Sequence, residues 1–147
     1  MRPLAVELAA AVHTALLRFG DADVACGAEP VALLGGHHTA RRAVVSAWHP
    51  LPNVAVAASA PHSFVVDPIA FARAEAELRS RGTDWLGFVH GHPGGVASLS
   101  QRDRQQAWRD CVQLVVGRRD IAAFWLHGER CEPLPLVVRQ EAGVADA

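Results

Sequence analysis

Lysine and tyrosine are both absent from this sequence of 147 residues. All fourteen basic residues are arginines, and they face fifteen acidic residues, so the formal net charge is -1 and the pI is about 6.7. A protein that holds nucleic acid or an anionic membrane by electrostatic attraction carries an excess of basic residues, which this chain does not have. We therefore expect neither nucleic acid nor a membrane as a partner.

Cysteine is scarce, and its spacing argues against two common frameworks. The three cysteines, Cys26, Cys111 and Cys131, are an odd number at wide intervals and form no CxxC pair. Disulfide scaffolds are recognised by even numbers of cysteines, and thiolate zinc cages by closely spaced pairs. The sequence therefore predicts neither kind of site.

Long hydrophobic runs are also missing. A helix that spans a bilayer needs about 20 consecutive apolar residues, and the apolar amino-terminal stretch is interrupted by Glu7, His13 and Arg18. Its apolar residues recur at steps of three and four, at Leu4, Leu8, Val12, Ala15, Leu16 and Phe19. This spacing predicts an amphipathic helix that ends at Gly20, rather than a signal peptide. The expected compartment is the cytoplasm.

The overall composition is that of one folded domain. Half of the residues are apolar and 20% are charged, a balance too hydrophobic for a disordered chain. At roughly 150 residues per domain, the length predicts a single domain. We expect residues 1–138 to form it and residues 139–147 to be a flexible tail.

Periodicity and turn signals predict a mixture of helices and strands. Two further helices are expected, one from Asp67 as N-cap to about Arg81 and one from Ser100 to about Cys111. Apolar runs of strand length occupy 31–34, 41–48, 54–58, 85–90, 112–116, 121–126 and 134–138. We expect the Gly35-Gly36 pair to close the first of these strands. Because strands and helices do not alternate strictly, the predicted fold class is α/β or α+β with a mixed sheet.

The segment from His90 to Asp103, HGHPGGVASLSQRD, carries the strongest chemical signal. His90 and His92 are two residues apart, and on a strand such residues point to the same face. Two imidazoles placed in this way can bind one metal ion, and zinc accepts a carboxylate as a third ligand, which Asp103 can supply from the first turn of the next helix. Three protein ligands leave a fourth position for water, which is typical of catalytic zinc.

Each half of this pattern also has a plain structural explanation. A pair of histidines on a strand is more often a packing or surface feature than a metal site. Ser100 and Asp103 fit the start of a helix as N-cap and third residue, and an acidic residue there also suits the helix dipole. The two halves together, within one short segment, are much more specific than either alone.

The order His-x-His, seven residues, Ser-x-x-Asp, present as His90, His92, Ser100 and Asp103, resembles the JAMM motif of the JAB, or MPN-plus, metalloproteases. Members of that family carry a further glutamate just before a strand. The matching segment here is AEPVALLGG, in which Glu29 is the glutamate. The run FVVDP, a helix and GFVHGHP is also similar to the family's passage into the metal-binding strand.

This resemblance covers about residues 1–138 and implies a particular architecture. The expected fold is the JAB/MPN, cytidine-deaminase-like one, a single α+β domain whose mixed, mostly antiparallel sheet is flanked by helices. The chain would be a minimal prokaryotic member, since it lacks the long insertions of larger eukaryotic relatives.

The resemblance also implies a zinc-dependent hydrolase with one ion per chain. His90, His92 and Asp103 would bind the zinc. Glu29 would accept a proton from the metal-bound water and pass it to the leaving amine, and Ser100 would donate a hydrogen bond to the tetrahedral intermediate. Zinc lowers the pKa of bound water from about 15.7 towards about 7, and a nearby carboxylate is a suitable general base. Without the family, we would interpret Glu29 as a solvated turn residue.

Catalytic members of the family cut bonds that follow the carboxyl-terminal Gly-Gly of ubiquitin or ubiquitin-like proteins. The resemblance therefore implies a deubiquitinase-like peptidase that acts on a ubiquitin-like protein or its conjugates. The associated activating and conjugating enzymes would be further partners. Two alternatives stay open. One is the trimming of a small sulfur-carrier protein in cysteine or cofactor biosynthesis, and the other is a metal-free scaffold, against which the complete motif counts.

Two features of the composition bear on partners. The absence of lysine is explained most simply by a GC-rich genome, but a protease without lysine also could not itself be conjugated through a lysine side chain. The four tryptophans are most simply core residues, and Trp108, on the polar helix, is in addition a candidate partner contact.

Overall fold

The computed structural model describes residues 2–20, 29–55 and 64–140. Its strands are β1 (Ala5–Ala9), β2 (Val31–His38), β3 (Arg42–Leu51), β4 (Asp84–Gly91), β5 (Val112–Val116), β6 (Ile121–His127), β7 (Arg130–Leu134) and β8 (Leu136–Arg139). Its helices are α1 (Ala10–Gly20), α2 (Pro68–Ser80) and α3 (Gln101–Gln106). None of these helices has the length and apolar character needed to cross a membrane.

The strands form one mixed sheet in the order β7-β6-β5-β4-β2-β3-β1-β8. Four of the neighbouring pairs are antiparallel and three are parallel. The two strands at the ends of this order, β7 and β8, are separated along the chain by Pro135 alone, so the sheet bends round until its ends meet. The predicted fold class, an α+β domain with a mixed, mostly antiparallel sheet flanked by helices, is confirmed.

Apolar side chains cover both faces of the sheet. The core cluster between the sheet and α1 includes Val89 of β4, and it also contains Val6, Leu8, Leu16, Leu34, Val45, Leu114 and Val116. The core cluster between the sheet and α2 includes Phe88 of β4, and it also contains Leu33, Phe64, Ala74 and Leu78. Because successive side chains of a strand alternate between faces, His90 lies on the same face as Phe88.

The amino-terminal stretch is divided differently from the prediction. The expected helix includes Leu4 and Leu8, whereas the structure has Leu4 before β1 and Leu8 within it, and α1 begins at Ala10. Val6 and Leu8 are fully buried and their neighbours are partly exposed, which is the period of a strand. β1 pairs in parallel with both β3 and β8. These long-range backbone hydrogen bonds outweigh the local helical spacing, which carries no information about them.

Two strand predictions also need correction. β2 does not close at Gly35-Gly36 but continues to His38, and its register shifts between Gly35 and Gly36 against β3 and between Leu34 and Gly35 against β4. A Cβ on Gly36 would collide with the carbonyl oxygen of Val44, so glycine lets the backbones approach closely there. The expected strand at 54–58 is absent at Val54 and Ala55, and its remaining residues lie outside the described part of the chain.

The two later helices begin as predicted, but one ends early. Asp67 caps α2, because its Oδ2 accepts a hydrogen bond from the Ala70 N–H at 3.0 Å. α3 ends at Gln106 instead of Cys111. The following backbone is held by a side chain rather than by helical bonds, since Gln113 Nε2 donates to the Trp108 carbonyl at 3.1 Å.

The expectations for Cys26 and for the tail at 139–147 concern residues that lie mostly outside the described part of the chain. Cys26 and the tail beyond Gln140 lie outside the described residues. Arg139, the first residue of the expected tail, pairs with Ala9 at the end of β8. The predicted domain boundary therefore stays a prediction.

Candidate active site

Four of the predicted site residues come together at the carboxyl end of β4. His90 lies on β4, His92 directly follows it, Asp103 lies on α3, and Glu29 precedes β2. One ligand atom of each residue lies within 4.8 Å of the others. His90 Nε2 is 3.2 Å from both His92 Nε2 and Asp103 Oδ2, and His92 Nε2 is 3.2 Å from Asp103 Oδ2. Glu29 Oε1 lies 3.5 Å from His92 Nε2.

Strand pairing brings Glu29 to the histidines. β2 and β4 are antiparallel neighbours, and their register pairs Val31 with His90. Just before β2, the Pro30 carbonyl accepts a hydrogen bond from the Gly91 N–H at 3.0 Å. A residue far away in sequence is thereby held next to the His-Gly-His segment.

A complete capping box orients Asp103. Ser100 Oγ accepts a hydrogen bond from the Asp103 N–H at 3.1 Å, and Asp103 Oδ2 accepts one from the Ser100 N–H at 2.9 Å. The same Oδ2 atom faces both histidine rings. The capping interpretation and the ligand hypothesis are therefore compatible, because one carboxylate can serve the helix and the cluster together.

Burial and hydrogen bonds together shift the pKa values of the four residues of the cluster. Burial raises the pKa of Glu29 to about 7, with His92 opposing this shift and Asp103 adding to it. Burial also lowers the pKa of His90. At Asp103, burial acts to raise the pKa, but hydrogen bonds with His90 and His92 outweigh it and hold the pKa well below its usual range. The hydrogen bond with Asp103 raises the pKa of His92.

The donor set fits a metal ion. His92 Nδ1 lies 3.0 Å from the Val96 carbonyl oxygen, an arrangement that places the ring proton on Nδ1 and leaves a lone pair on Nε2. That lone pair converges with His90 Nε2 and Asp103 Oδ2 at a point that little water reaches. A cation shared by the three atoms would stabilise this buried arrangement. In the described residues, the buried atoms His90 Nδ1, Asp103 Oδ1 and Glu29 Oε2 have no hydrogen-bond partner.

Three groups that support this cluster could not be predicted from the motif. The Phe64 ring packs on His90 with centroids 4.6 Å apart. Asn53 Nδ2 donates to the Glu29 carbonyl at 3.1 Å. The backbone carbonyl of Val96 orients His92, and a backbone group cannot be predicted from the residue type at that position. The only sequence signal at Asn53 is its residue type, which is common in turns.

Replacing Ser100 with alanine tests its two roles separately. Loss of the N-cap should lower the free energy of unfolding by about 0.5–2 kcal/mol. Loss of a hydrogen bond to a developing oxyanion should lower kcat by about 10²–10³-fold. We expect both effects, measured as thermal stability and kcat on one preparation. A variant that is less stable but fully active would leave Ser100 as a helix cap only.

Comparisons with known proteins agree with this fold. Residues 9–127 match the family model of prokaryotic homologs of the JAB domain. A probable TtuB-protein conjugate cleaving protease from Thermus thermophilus is 33% identical over 99 residues, which are 67% of this chain but only 62% of that relative. A protein from Desulfitobacterium hafniense, solved in solution, shares the fold with a TM-score of 0.80 at 21% identity, covering 94% of this chain and 95% of its own.

The match to the family model spans residues 9–127, most of the chain. The resemblance inferred from the motif is thus confirmed at the level of the family. This chain belongs to the family of prokaryotic homologs of the JAB domain.

Proposed function

We propose that this protein is a zinc-dependent peptidase that cleaves the bond after the carboxyl-terminal glycine of a ubiquitin-like protein, in deconjugation or precursor processing. The observation that carries the proposal is the buried convergence of two imidazole nitrogens and one carboxylate oxygen beside a second carboxylate. Family membership and the relative named for cleaving TtuB-protein conjugates support it. The compartment that goes with this proposal is the cytoplasm.

His90, His92 and Asp103 are the proposed zinc ligands. When bound there, zinc lowers the pKa of a coordinated water and polarises the carbonyl of the scissile bond. The chain orients two of the three ligands through hydrogen bonds of its own. The Val96 carbonyl accepts from His92 Nδ1, and the Ser100 N–H donates to Asp103 Oδ2. Such outer contacts reduce the reorganisation needed when the ligands act together.

Glu29 is the proposed general base and acid. Its carboxylate lies at the edge of the ligand cluster, and its side chain is only 4% exposed, so water screens it little. In the proposed reaction a Glu29 carboxylate oxygen takes a proton from the attacking water and delivers it to the leaving amine nitrogen. Glu29 is ionised again when the cycle ends, and the water supplies both the hydroxyl and the proton that complete the two products.

Ser100 is the proposed donor to the substrate oxygen that gains negative charge. In the helix cap its hydroxyl oxygen is an acceptor, and a hydroxyl carries one donor hydrogen besides its acceptor lone pairs. That hydrogen can therefore serve the substrate while the cap stays intact. Ser100 is exposed at the start of α3, where a substrate can reach it.

Trp108 is the proposed contact for the folded part of the substrate. It is 40% exposed, and the rings of Phe71 and Phe88 hold it at centroid distances of 4.9 and 5.1 Å. Phe88 lies 6.4 Å from Phe64, which packs on His90, so Trp108 is at the outer end of a row of rings that begins at the cluster. Preorganised, partly exposed aromatic residues of this kind are enriched in protein interfaces.

Cleavage of a ubiquitin-like protein fused to a reporter tests the proposed specificity. A fusion with glycine as the last residue before the reporter should be cut, and the same fusion with valine there should be cut about 10²-fold more slowly. The scissile carbonyl must reach the ligand cluster while its oxygen faces Ser100. A side chain at the last position would meet the loop between His92 and Ser100 or lift the carbonyl away.

A short peptide that ends in Gly-Gly provides the control for recognition of the folded part. It should be a poor substrate beside the whole fusion, because contacts remote from the scissile bond contribute to catalysis. Equal cleavage of the glycine and valine fusions, or of peptide and whole protein, would contradict the ubiquitin-like specificity and leave a general metallopeptidase. A metal-free scaffold would cut none of them.

A further inference from the structure

We propose that Asn53 is a positioning residue that holds Glu29 beside the histidine cluster. This inference rests on the proposed function, in which Glu29 moves the proton. Asn53 follows β3, the strand next to β2, and it is partly buried. Its Nδ2 atom donates a hydrogen bond to the Glu29 carbonyl oxygen at 3.1 Å.

Two hydrogen bonds fix the backbone at Glu29 and Pro30, one to the carbonyl of each residue. On one side, the Gly91 N–H, between the two histidines, donates to the Pro30 carbonyl at 3.0 Å. On the other side, Asn53 donates to the Glu29 carbonyl. Proline has no N–H of its own to anchor this peptide unit. The two bonds together orient the backbone at Glu29 and hence the direction in which its side chain leaves the chain.

The same asparagine also holds the segment that packs on His90. Its Oδ1 accepts hydrogen bonds from the Ala55 and Val65 N–H groups, each at 3.1 Å. Val65 follows Phe64, whose ring lies against His90. One side chain therefore ties the proposed base to the segment that covers a proposed ligand.

A plain turn role for Asn53 is the competing explanation, and the two roles use different atoms. A turn anchor needs the acceptor Oδ1, whereas the bond to Glu29 needs the donor Nδ2. Aspartate at this position keeps the shape and the two acceptor bonds but loses the donor. Of the three bonds that Asn53 makes within the described residues, Asn53→Asp removes the one to Glu29 and keeps the two acceptor bonds, while Asn53→Ala removes all three without adding a charge.

The experiment compares wild type, Asn53→Asp and Asn53→Ala in kcat and KM on the glycine fusion, in bound zinc, and in hydrogen exchange at residues 29–31, where Glu29 and Val31 carry the amide hydrogens, and at residues 64–66. Both variants should lose about 10- to 100-fold in kcat, with KM and zinc content unchanged. Exchange at 29–31 should rise in both, and exchange at 64–66 only in Asn53→Ala. Thr39→Ala is the matched control, because Thr39 Oγ1 accepts from the Arg42 N–H in a turn away from the cluster, and it should keep wild-type kcat.

A Glu29→Gln background provides the decisive comparison. If Asn53 acts through Glu29, Asn53→Asp should cause no further loss in the residual single-turnover rate of that variant. The inference would be overturned if the Asn53 variants kept wild-type kcat, left exchange at 29–31 unchanged or lost zinc. It would also be overturned if Asn53→Asp caused an equal further loss of rate in the Glu29→Gln background. If wild type does not cut the fusion, the proposed function fails, and exchange at 29–31 then decides on its own whether Asn53 holds Glu29.

Discussion

Purified wild-type protein is expected to carry about one zinc ion per chain, and His92→Ala is expected to lose both the metal and turnover. Removal of one of three protein ligands leaves two, which is too few for a stable catalytic zinc site. The fold should survive, because the apolar clusters on both faces of the sheet do not depend on the metal. Elemental analysis, kcat and thermal stability of one preparation measure the three expectations together.

His90→Ala and Asp103→Ala should lose the metal as well, with an added loss of stability. The His90 side chain is fully buried, so alanine leaves a cavity among its packed neighbours. Asp103→Ala also breaks the capping box at Ser100, which lowers the free energy of unfolding by about 0.5–2 kcal/mol. His92, whose side chain is 17% exposed, is therefore the cleanest of the three variants.

His127→Ala is the matched control for these ligand variants. His127 also lies beside a carboxylate, with Nδ1 2.6 Å from Asp110 Oδ1, but the pair is exposed and belongs to another part of the sheet. This variant should keep its zinc and its turnover. Wild-type protein that carries no zinc after metal-free preparation, or a His92→Ala variant that retains it, would contradict the proposed ligand set.

The site divides into parts that the sequence could predict and parts that it could not. Two local patterns, a strand with period two and the first turn of a helix, place His90, His92, Ser100 and Asp103. The spacing of these residues is therefore enough to predict that they lie together. Only the family resemblance points to Glu29, because its approach to His90 depends on the pairing of β2 with β4.

The errors in the fold have the same origin. β1 has the spacing of a helix when taken with α1, and its parallel pairing with β3 and β8 decides otherwise. Sequence patterning misses β7 because Arg130, Glu132 and Pro133 leave it without an apolar run of strand length. A proline is tolerated there since, among the described strands, β7 pairs with β6 alone. Asn53 and Phe64 could not be predicted for the same reason, because each acts on the cluster through contacts between segments that are distant in sequence.

Glu29→Gln is expected to keep its zinc and to lose about 10²–10⁴-fold in kcat, the usual contribution of a general acid–base group. The amide preserves the size of the side chain but cannot take a proton from the attacking water. Its neutral charge also lowers the desolvation cost of this buried position, so thermal stability should equal or exceed that of wild type. Because the substrate contacts remain, the variant should bind the glycine fusion without releasing product, which a pull-down of the uncut fusion measures.

Glu7→Gln is the control for the removal of one negative charge. Glu7 lies on β1, away from the cluster, and forms ion pairs with Arg42 at 2.8 Å and with Arg139 at 3.9 Å. It should therefore turn over like wild type. A Glu29→Gln variant that cleaves at the wild-type rate would mean that another group moves the proton. One that loses its zinc would instead make Glu29 a fourth ligand, and the role of base would then have to be assigned elsewhere.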